Sequence, residues 1–390
     1  MKKLAAVLLS VLLSLAVAEA GLRLYYGSKE PEDFREALRR AERSRPVPGA
    51  KLTLGEMVQA SRFDDVVYEL KPNLSGVFKG AQVRTNSRGM RGTREYSVEK
   101  PPGTYRIVGI GDSNMFGWGV AEGEPYLQIL ERRLGEMAEL AGDGRRFEAL
   151  NFGVPGYNTA IEVASFERKA LAYQPDLVIL HFIGNDFGLP YFMQPPEERR
   201  AAARSYLWQL LKTRFGSMED EVDPDLLGHN RSRLDPEYRR QVRSQYQYML
   251  GPEGYRRAMA KLGALARSRG IPVIVLALGG SGERGSLATE AAKANGLDFL
   301  NAAPRFYTYL VEHGMGDDKK DWKRTFRIPN DGHPNRLAHQ LYAEVLLEEM
   351  KRRGIVGRRP SPPRPPSPTR TPFPRERGET DSSLRSERPL

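Results

Sequence analysis

Cysteine is absent from the 390 residues of this sequence. Its absence excludes disulfide bonds, thiolate catalysis and cysteine-based zinc sites, but leaves the compartment open because many exported proteins also lack cysteine. Histidine is scarce too, with five residues scattered along the chain. Such scatter predicts no metal site and no cofactor. Serine, histidine and carboxylates must therefore carry any chemistry.

Acidic residues are outnumbered by basic ones, and the formal net charge is +11. Residues 351–390 alone hold 11 Lys and Arg against 4 Asp and Glu, which leaves about +4 on the rest. Dense proline without apolar periodicity predicts a disordered tail over residues 354–390. Attraction of this tail to anionic surfaces is the simpler interpretation, and no nucleic-acid partner is expected.

The apolar run from Leu4 to Ala18 follows Lys2 and Lys3, and small residues then surround Glu19. This pattern predicts that residues 1–20 are a signal peptide cleaved after Ala20. The alternative is a retained membrane anchor with both lysines on the cytoplasmic side. Either alternative predicts an exported protein, periplasmic or extracellular, or anchored to the outer face of the inner membrane.

The rest of the chain divides by composition into a polar linker or helix (21–62), a small β-rich segment (63–100) and a main domain (101–353). In the main domain, apolar runs typical of strands alternate with helical patterns, which predicts an α/β fold with a parallel sheet between two layers of helices. A long charged insertion, residues 190–254, interrupts this alternation. It is either a helical subdomain near the site or a solvated excursion.

Polar turns follow three of the predicted strands. Gly111-Asp112-Ser113 ends the first strand, a Gly-rich turn containing Gly156 follows the second, and Gly184-Asn185-Asp186 follows the third. The carboxyl ends of neighbouring parallel strands meet at one edge of the sheet, where ligands bind. Asp331-Gly332-His333 precedes the last predicted helix. Taken alone, the first turn is equally well explained as a plain connection that contains serine.

These four blocks, in this order, resemble those of the SGNH hydrolase superfamily, also called the GDSL family of esterases and lipases. The resemblance covers about residues 105–353, and it implies a three-layer α/β/α sandwich with a flavodoxin-like parallel sheet. The short spacing between Asp331 and His333 also resembles that of the acetyltransferase-like branch of the superfamily, whose members act on exported polysaccharides.

The resemblance implies a role for each block. Ser113 is the nucleophile, and His333 is the base that removes its proton. A carboxylate must orient the imidazole and stabilise its cation, and Asp331 is the candidate. The oxyanion hole consists of the backbone N–H groups of Ser113 and Gly156 and the side-chain amide of Asn185.

Each assignment has a simpler alternative. Gly156 is also explained as a turn glycine, Asn185 as a helix cap, and His333 as a surface residue before a proline. The final block also departs from the commonest family pattern, which has Asp three residues before His. Asn330 occupies that position here, and an amide cannot stabilise an imidazolium as a carboxylate does. Asp331 is therefore preferred.

The expected function is hydrolysis of a carboxylic ester, with a short acyl or acetyl group, through an acyl-serine intermediate outside the cytoplasm. The expected partner is an ester substrate such as an acylated polysaccharide, with the membrane as a second partner if residues 1–20 are retained. Two alternatives remain: O-acyl transfer to a cell-envelope polysaccharide, and non-catalytic binding by a protein of the same fold.

Overall fold

The computed structural model describes residues 2–27, 49–193, 207, 244–316 and 319–356. Three of the predicted segments lie partly or mainly outside these residues. Part of the polar linker (28–48), most of the insertion (194–206 and 208–243) and the tail from residue 357 lie outside the described residues.

The described elements alternate between strand and helix from residue 104 onward. The strands are β1 (Val58–Ala60), β2 (Tyr68–Leu70), β3 (Ser75–Phe78), β4 (Ala81–Arg84), β5 (Thr104–Ile110), β6 (Arg146–Asn151), β7 (Leu177–Phe182), β8 (Val273–Ala277) and β9 (Asp298–Asn301). The helices are α1 (Lys2–Gly27), α2 (Leu54–Met57), α3 (Ser113–Phe116), α4 (Tyr126–Leu140), α5 (Thr159–Arg168), α6 (Gly251–Arg267), α7 (Gly282–Ala294), α8 (Ala303–Glu312), α9 (Lys319–Phe326) and α10 (Arg336–Arg352).

Strands β5 to β9 form one parallel sheet in the order β6-β5-β7-β8-β9. This order is that of flavodoxin-like folds, in which the chain reverses direction across the sheet after the second strand. Crevices at such a reversal point lie between the carboxyl ends of β5 and β7. The predicted α/β fold with a parallel flavodoxin-like sheet is confirmed.

Successive residues of the strands face opposite helical layers, because side chains alternate across a strand. Ile107 and Ile179 pack in a core with α4, α8 and α10. Val108 and Val178 pack in a second core with α5, α6 and α7. Strands β5, β7 and β8 are largely buried on both faces, which explains why they contain continuous apolar runs in the sequence.

Most elements of the main domain alternate as the apolar pattern predicts, and α4 covers residues 126–140, whose apolar residues recur at helical spacing. Helices α7, α8 and α9 were not predicted. The buried face of α7 consists of glycine and alanine, so it gives almost no hydrophobic contrast along the sequence. After α10 the chain stays packed as far as Val356, which is buried in the core, two residues beyond the predicted start of the tail.

The carboxyl-terminal end of the predicted polar linker or helix (21–62) is packed into the fold. Leu54, Met57 and Val58 are buried, and a capping box between Thr53 and Glu56 starts α2. The apolar residues here are few and interspersed with polar ones, so they show no apolar face in the sequence. Residues 49–100 form what we call the amino-terminal β segment, with antiparallel pairs β1-β2 and β3-β4.

Arg91 ties the amino-terminal β segment to the main domain. Its side chain is fully buried, forms an ion pair of 2.6 Å with Glu122, and donates to the carbonyl oxygen of Val120 at 3.2 Å. The guanidinium also lies over the ring of Phe116, in the helix that begins with Ser113. The segment is therefore anchored close to the turn that carries the serine.

Helix α1 covers the predicted signal peptide and continues to Gly27. Many of its apolar side chains, including Leu9 and Leu12, are exposed. No helix in the described part of the chain has both the length and the apolar character to cross a membrane.

Candidate active site

Ser113 lies in a tight turn at the carboxyl end of β5. Asp112 caps α3 by accepting a hydrogen bond from the backbone N–H of Asn114 at 2.9 Å, and Ser113 is the first residue of that helix. A Cβ atom on Gly111 would lie 2.6 Å from the Cβ of Met115, so only glycine fits the strand-to-helix connection. The turn places the buried Ser113 at the carboxyl end of β5, where the order of strands reverses.

Ser113, His333 and Asp331 form a continuous line of hydrogen bonds. The Oγ of Ser113 lies 2.8 Å from Nε2 of His333, and Nδ1 of His333 lies 2.6 Å from Oδ1 of Asp331. The structure thus brings together the three residues predicted as catalytic, from turns 220 residues apart in sequence. The alternative that His333 is a surface residue is wrong, because its ring is buried.

The loop before α10 explains how a carboxylate two residues before the histidine reaches the imidazole. Oδ1 of Asp331 accepts hydrogen bonds from both the backbone N–H of His333, at 2.8 Å, and Nδ1. Asn330 has a left-handed backbone (φ 59°), a conformation that asparagine tolerates, and its side chain is exposed. The tight turn places Asp331, and not Asn330, beside the ring.

The Asp331 carboxyl stays ionised in this setting. Burial raises its pKa, but the hydrogen bonds from His333 and Trp118 outweigh burial and leave the pKa below its usual value. A carboxylate held in this way stabilises the imidazolium that forms when His333 takes a proton.

Asn185 and Ser113 meet at the buried carboxyl of Asp112. Its Oδ2 atom lies 3.0 Å from Oγ of Ser113 and accepts from Nδ2 of Asn185 at 3.3 Å. Burial raises the pKa of Asp112. The Asn185 side chain donates to Asp112, so its prediction as a simple helix cap is not the arrangement found.

Gly156 lies in the loop after β6, which is joined to the serine turn by a hydrogen bond from the Val154 N–H to the Gly111 carbonyl at 3.0 Å. Its φ is +80°, and a Cβ atom there would lie 2.5 Å from the Cβ of Tyr191 and 3.1 Å from the Tyr68 hydroxyl. Conformation and crowding both require glycine. The oxyanion-hole assignment of Ser113, Gly156 and Asn185 stays a prediction.

The remaining histidines have other surroundings. His181 is packed in β7 against the hydroxyl of Tyr126, as expected of a core histidine, and burial lowers its pKa to about 3. His339 is also buried, whereas His313 is exposed. His229 lies outside the described residues. Among the residues that the structure describes, no group of three or more His, Asp or Glu side chains is placed to hold a metal ion.

Sequence reasoning missed Trp118. Its Nε1–H donates to Oδ2 of Asp331 at 3.0 Å, and its ring stacks on the His333 imidazole with centroids 4.3 Å apart. The only signal was its position five residues after Ser113. Its contacts with residues more than 200 positions away were not predictable from a single sequence.

We expect Asn185→Ala to lower kcat for ester hydrolysis by about 10²- to 10³-fold with little change in KM, because an oxyanion donor acts mainly in the transition state. Steady-state kinetics would measure this change. Asn295→Ala, which removes an asparagine that bonds within its own helix end, serves as control and should leave kcat unchanged. Equal kinetics for Asn185→Ala and wild type would contradict the assignment.

Glu162 is a buried carboxyl behind the site, and neither of its oxygens has a hydrogen-bond partner among the described residues. Burial, and then the charges of Asp186 and Asp112, raise its pKa well above the usual value. A raised carboxyl pKa contributes stability below the unfolded-state pKa, and this contribution is lost as pH rises through the folded-state pKa.

We therefore expect Glu162→Gln to raise Tm, relative to wild type, by about 3 °C more at pH 8 than at pH 5. Thermal unfolding at both pH values would measure the difference. The exposed Glu139→Gln provides the matched control, with the same small effect at both pH values. If Glu162→Gln changed Tm equally at pH 5 and pH 8, the result would contradict a raised pKa of the Glu162 carboxyl.

One family model matches the part of the chain that contains this site. The model of the GDSL-like lipase/acylhydrolase family matches residues 110–341, a range that includes Ser113, Gly156, Asn185, Asp331 and His333. A comparison with curated protein sequences gave no match.

Several solved structures are similar to this chain over about two thirds of its length. A lipase/acylhydrolase from Enterococcus faecalis is 14% identical, with 66% of this chain and 100% of that chain covered and a TM-score of 0.37. The acetyl xylan esterase AlAXEase is 13% identical, with 63% and 98% covered and a TM-score of 0.36. A two-domain esterase active on acetylated mannans is 16% identical, with 66% and 52% covered and a TM-score of 0.38.

Proposed function

The chain belongs to the GDSL-like lipase/acylhydrolase family of ester-hydrolysing enzymes, and on this premise we propose that it cleaves a short-chain acyl ester through a covalent acyl-Ser113 intermediate. The observation that carries the proposal is the unbroken line from the Ser113 hydroxyl through His333 to Asp331, with distances of 2.8 and 2.6 Å. A serine hydroxyl becomes a good nucleophile when an oriented imidazole accepts its proton.

In the proposed mechanism, Oγ of Ser113 attacks the ester carbonyl while its proton passes to Nε2 of His333. His333 then returns the proton to the oxygen of the leaving alcohol as the C–O bond breaks, which leaves the acyl group on Ser113. Water attacks the acyl-enzyme with help from the same imidazole and releases the acid. Asp331 balances the charge on the imidazolium in both steps.

We propose that three donors bind the oxyanion: the N–H groups of Ser113 and Gly156 and the side-chain amide of Asn185. Each donor of this kind lowers the barrier by about 3 kcal/mol. Neither the Ser113 nor the Gly156 backbone N–H donates a hydrogen bond to another of the described residues. Both therefore remain for the substrate.

The burial of Ser113, and the closeness of Tyr191 and the Tyr68 hydroxyl to Gly156, support a short acyl group. Tyr191 and Phe192 are half-buried near Gly156, and we propose that the part of these aromatic side chains left open to solvent contacts a sugar in the alcohol part of the ester. A series of p-nitrophenyl esters tests the acyl preference. We expect kcat/KM to fall by about 10-fold or more from acetate to octanoate, and a preference for octanoate would contradict the proposal.

O-acyl transfer to a cell-envelope polysaccharide is the second candidate, and the short spacing between Asp331 and His333 favours it. Both reactions use the same residues and differ in the acceptor. Hydrolysis of an acetyl ester in the presence of a deacetylated polysaccharide, with mass analysis of the polymer, separates them. Acetate alone indicates an esterase, and acetylated polymer indicates a transferase.

We also propose that the protein acts outside the cytoplasm. Lys2 and Lys3, the apolar run after them and the exposed apolar side chains of α1 support export. Intact mass of the protein recovered from cell fractions would locate it and show whether residues 1–20 are removed. Recovery of the full-length chain from the cytoplasm alone would contradict this proposal.

A further inference from the structure

We propose that Trp118 is a positioning residue for the His333–Asp331 pair, and that the amino-terminal β segment supports catalysis by bracing this tryptophan. The inference rests on the proposed acyl-serine function and adds a residue to it. Trp118 is buried, and it touches both members of the pair, through a hydrogen bond to Asp331 and a stacked contact with His333.

The hydrogen bond fixes the rotation of the carboxylate. Oδ1 of Asp331 already accepts from the backbone and the ring of His333. Oδ2 accepts from Nε1 of Trp118 at 3.0 Å, so neither oxygen can turn away from its donor. Without the indole N–H the carboxylate could rotate about its Cβ–Cγ bond, and Oδ1 would leave the line through Nδ1 for part of the time.

The stacked contact fixes the plane of the imidazole. The two rings lie 4.3 Å apart with 12° between their planes. This contact restricts tilting of the His333 ring, so that Nε2 stays directed at the Ser113 hydroxyl. A displacement of about 1 Å between reacting groups can cost as much as 100-fold in rate, so even small tilts matter.

Trp118 is held from the other side by the amino-terminal β segment. The ring of Phe78, at the end of β3, packs edge-on against the indole with centroids 4.6 Å apart and planes at 81°. The backbone of Trp118 is also bonded to the nucleophile turn, because its backbone N–H donates to the Ser113 carbonyl oxygen at 3.1 Å. One side chain thus connects the segment, the nucleophile turn and the base.

The same segment also contacts the loop of Gly156. The Tyr68 hydroxyl donates to the carbonyl oxygen of Pro155 at 3.2 Å, and the Tyr157 hydroxyl donates to the carbonyl oxygen of Tyr68. These contacts place the segment against both sides of the site. Its position accounts for the burial of its apolar residues in one cluster with Trp118 and Tyr157.

The two contacts of Trp118 act in opposite directions on the protonated imidazole. The indole N–H draws negative charge from Asp331 and so disfavours the imidazolium, whereas the ring face attracts it. Other charged groups near this unit are Asp112 behind Ser113 and Lys79, whose Nζ lies 5.8 Å from the indole centroid. His339, buried nearby, also interacts electrostatically with His333.

Trp118→Phe tests the proposal because it keeps an aromatic ring and removes the N–H. With the full-length protein and p-nitrophenyl acetate, we expect kcat to fall about 10-fold with KM within two-fold of wild type. We also expect the acid limb of the kcat/KM profile to move to higher pH. Trp118→Leu, which removes both contacts, should lower kcat further and show a smaller shift of the acid limb.

Phe306→Leu serves as the control, because this ring is fully buried in the core formed with α10 and makes no contact with the catalytic residues. It should lower thermal stability without moving the acid limb. If Trp118→Phe retains wild-type kcat and pH profile, or if Phe306→Leu reproduces both changes, the proposal is overturned.

Phe78→Leu decides the question if neither tryptophan variant folds. It removes the edge-on contact and leaves Trp118 intact. We therefore expect kcat to fall about two- to three-fold, with the acid limb of the kcat/KM profile unmoved. An unchanged kcat in this folded variant would overturn the bracing role. A wild-type protein without esterase activity would instead refute the proposed function, so the two failures are distinguishable.

Discussion

Replacing Ser113 by alanine is expected to lower kcat for ester hydrolysis by about 10⁴-fold or more, because it removes the hydroxyl that lies 2.8 Å from Nε2 of His333. The change removes one oxygen from a buried turn whose backbone is held by Asp112. The fold should therefore survive, and circular dichroism should be unchanged. Reaction with a fluorophosphonate probe, followed by intact mass, should show one covalent adduct on wild type and none on Ser113→Ala.

Ser165→Ala is the matched control for this experiment. Ser165 is also a buried serine, but it lies on α5, one of the helices that cover the sheet. It should retain full labelling and activity. If Ser113→Ala hydrolyses esters at the wild-type rate, another nucleophile is in use and the catalytic role of the serine turn is wrong.

Asp331→Asn is expected to lower kcat by about 10⁴-fold. An amide at this position cannot stabilise the imidazolium, and it can hold the imidazole in the wrong tautomer. The substitution is nearly isosteric, so the loop and its hydrogen bond from Trp118 can persist. Steady-state kinetics at the pH optimum would measure the loss, and thermal unfolding would verify the fold.

Asn330 supplies the matched control for Asp331. Asn330→Asp places a carboxylate at the commoner family position, but this side chain is exposed. It should leave wild-type activity unchanged and should fail to rescue Asp331→Asn. Rescue of the double variant would show that the neighbouring position can serve His333, and would remove the unique role of Asp331.

The strands of the main sheet were predictable because burial on both faces gives continuous apolar runs. The residues at their carboxyl ends were predictable for a second reason, since parallel strands bring those ends together whatever the details of packing. Ser113 and Asn185 therefore meet near Asp112 as the order of strands requires.

Other features depend on contacts that no local pattern encodes. Helix α7 buries glycine and alanine, so it lacks the apolar contrast by which α4 was predicted. The amino-terminal β segment buries isolated apolar residues such as Met57 against the main domain, and a single sequence does not show their common partner. Trp118 joins the catalytic pair only because the loop before α10 returns to the serine turn.

The buried carboxyls behind the site illustrate another limit. In the sequence, Glu162 and Asp186 look like ordinary polar residues of a helix and a turn. Their burial raises the pKa of both carboxyls, an effect that depends entirely on the fold. The raised pKa values result from the packing of α5 against the loop after β7, which the composition of the sequence does not show.

Direct detection of an acyl-enzyme tests the proposal that Ser113 is the nucleophile and carries the acyl group. Wild-type protein would be mixed with an acetyl ester, quenched in acid within milliseconds to seconds, and digested for peptide mass analysis. We expect one added acetyl group on the peptide that contains Ser113, with faster accumulation than steady-state turnover and none in Ser113→Ala. Rapid hydrolysis with no acetyl group on Ser113 at any time, in a protein that remains folded, would contradict it.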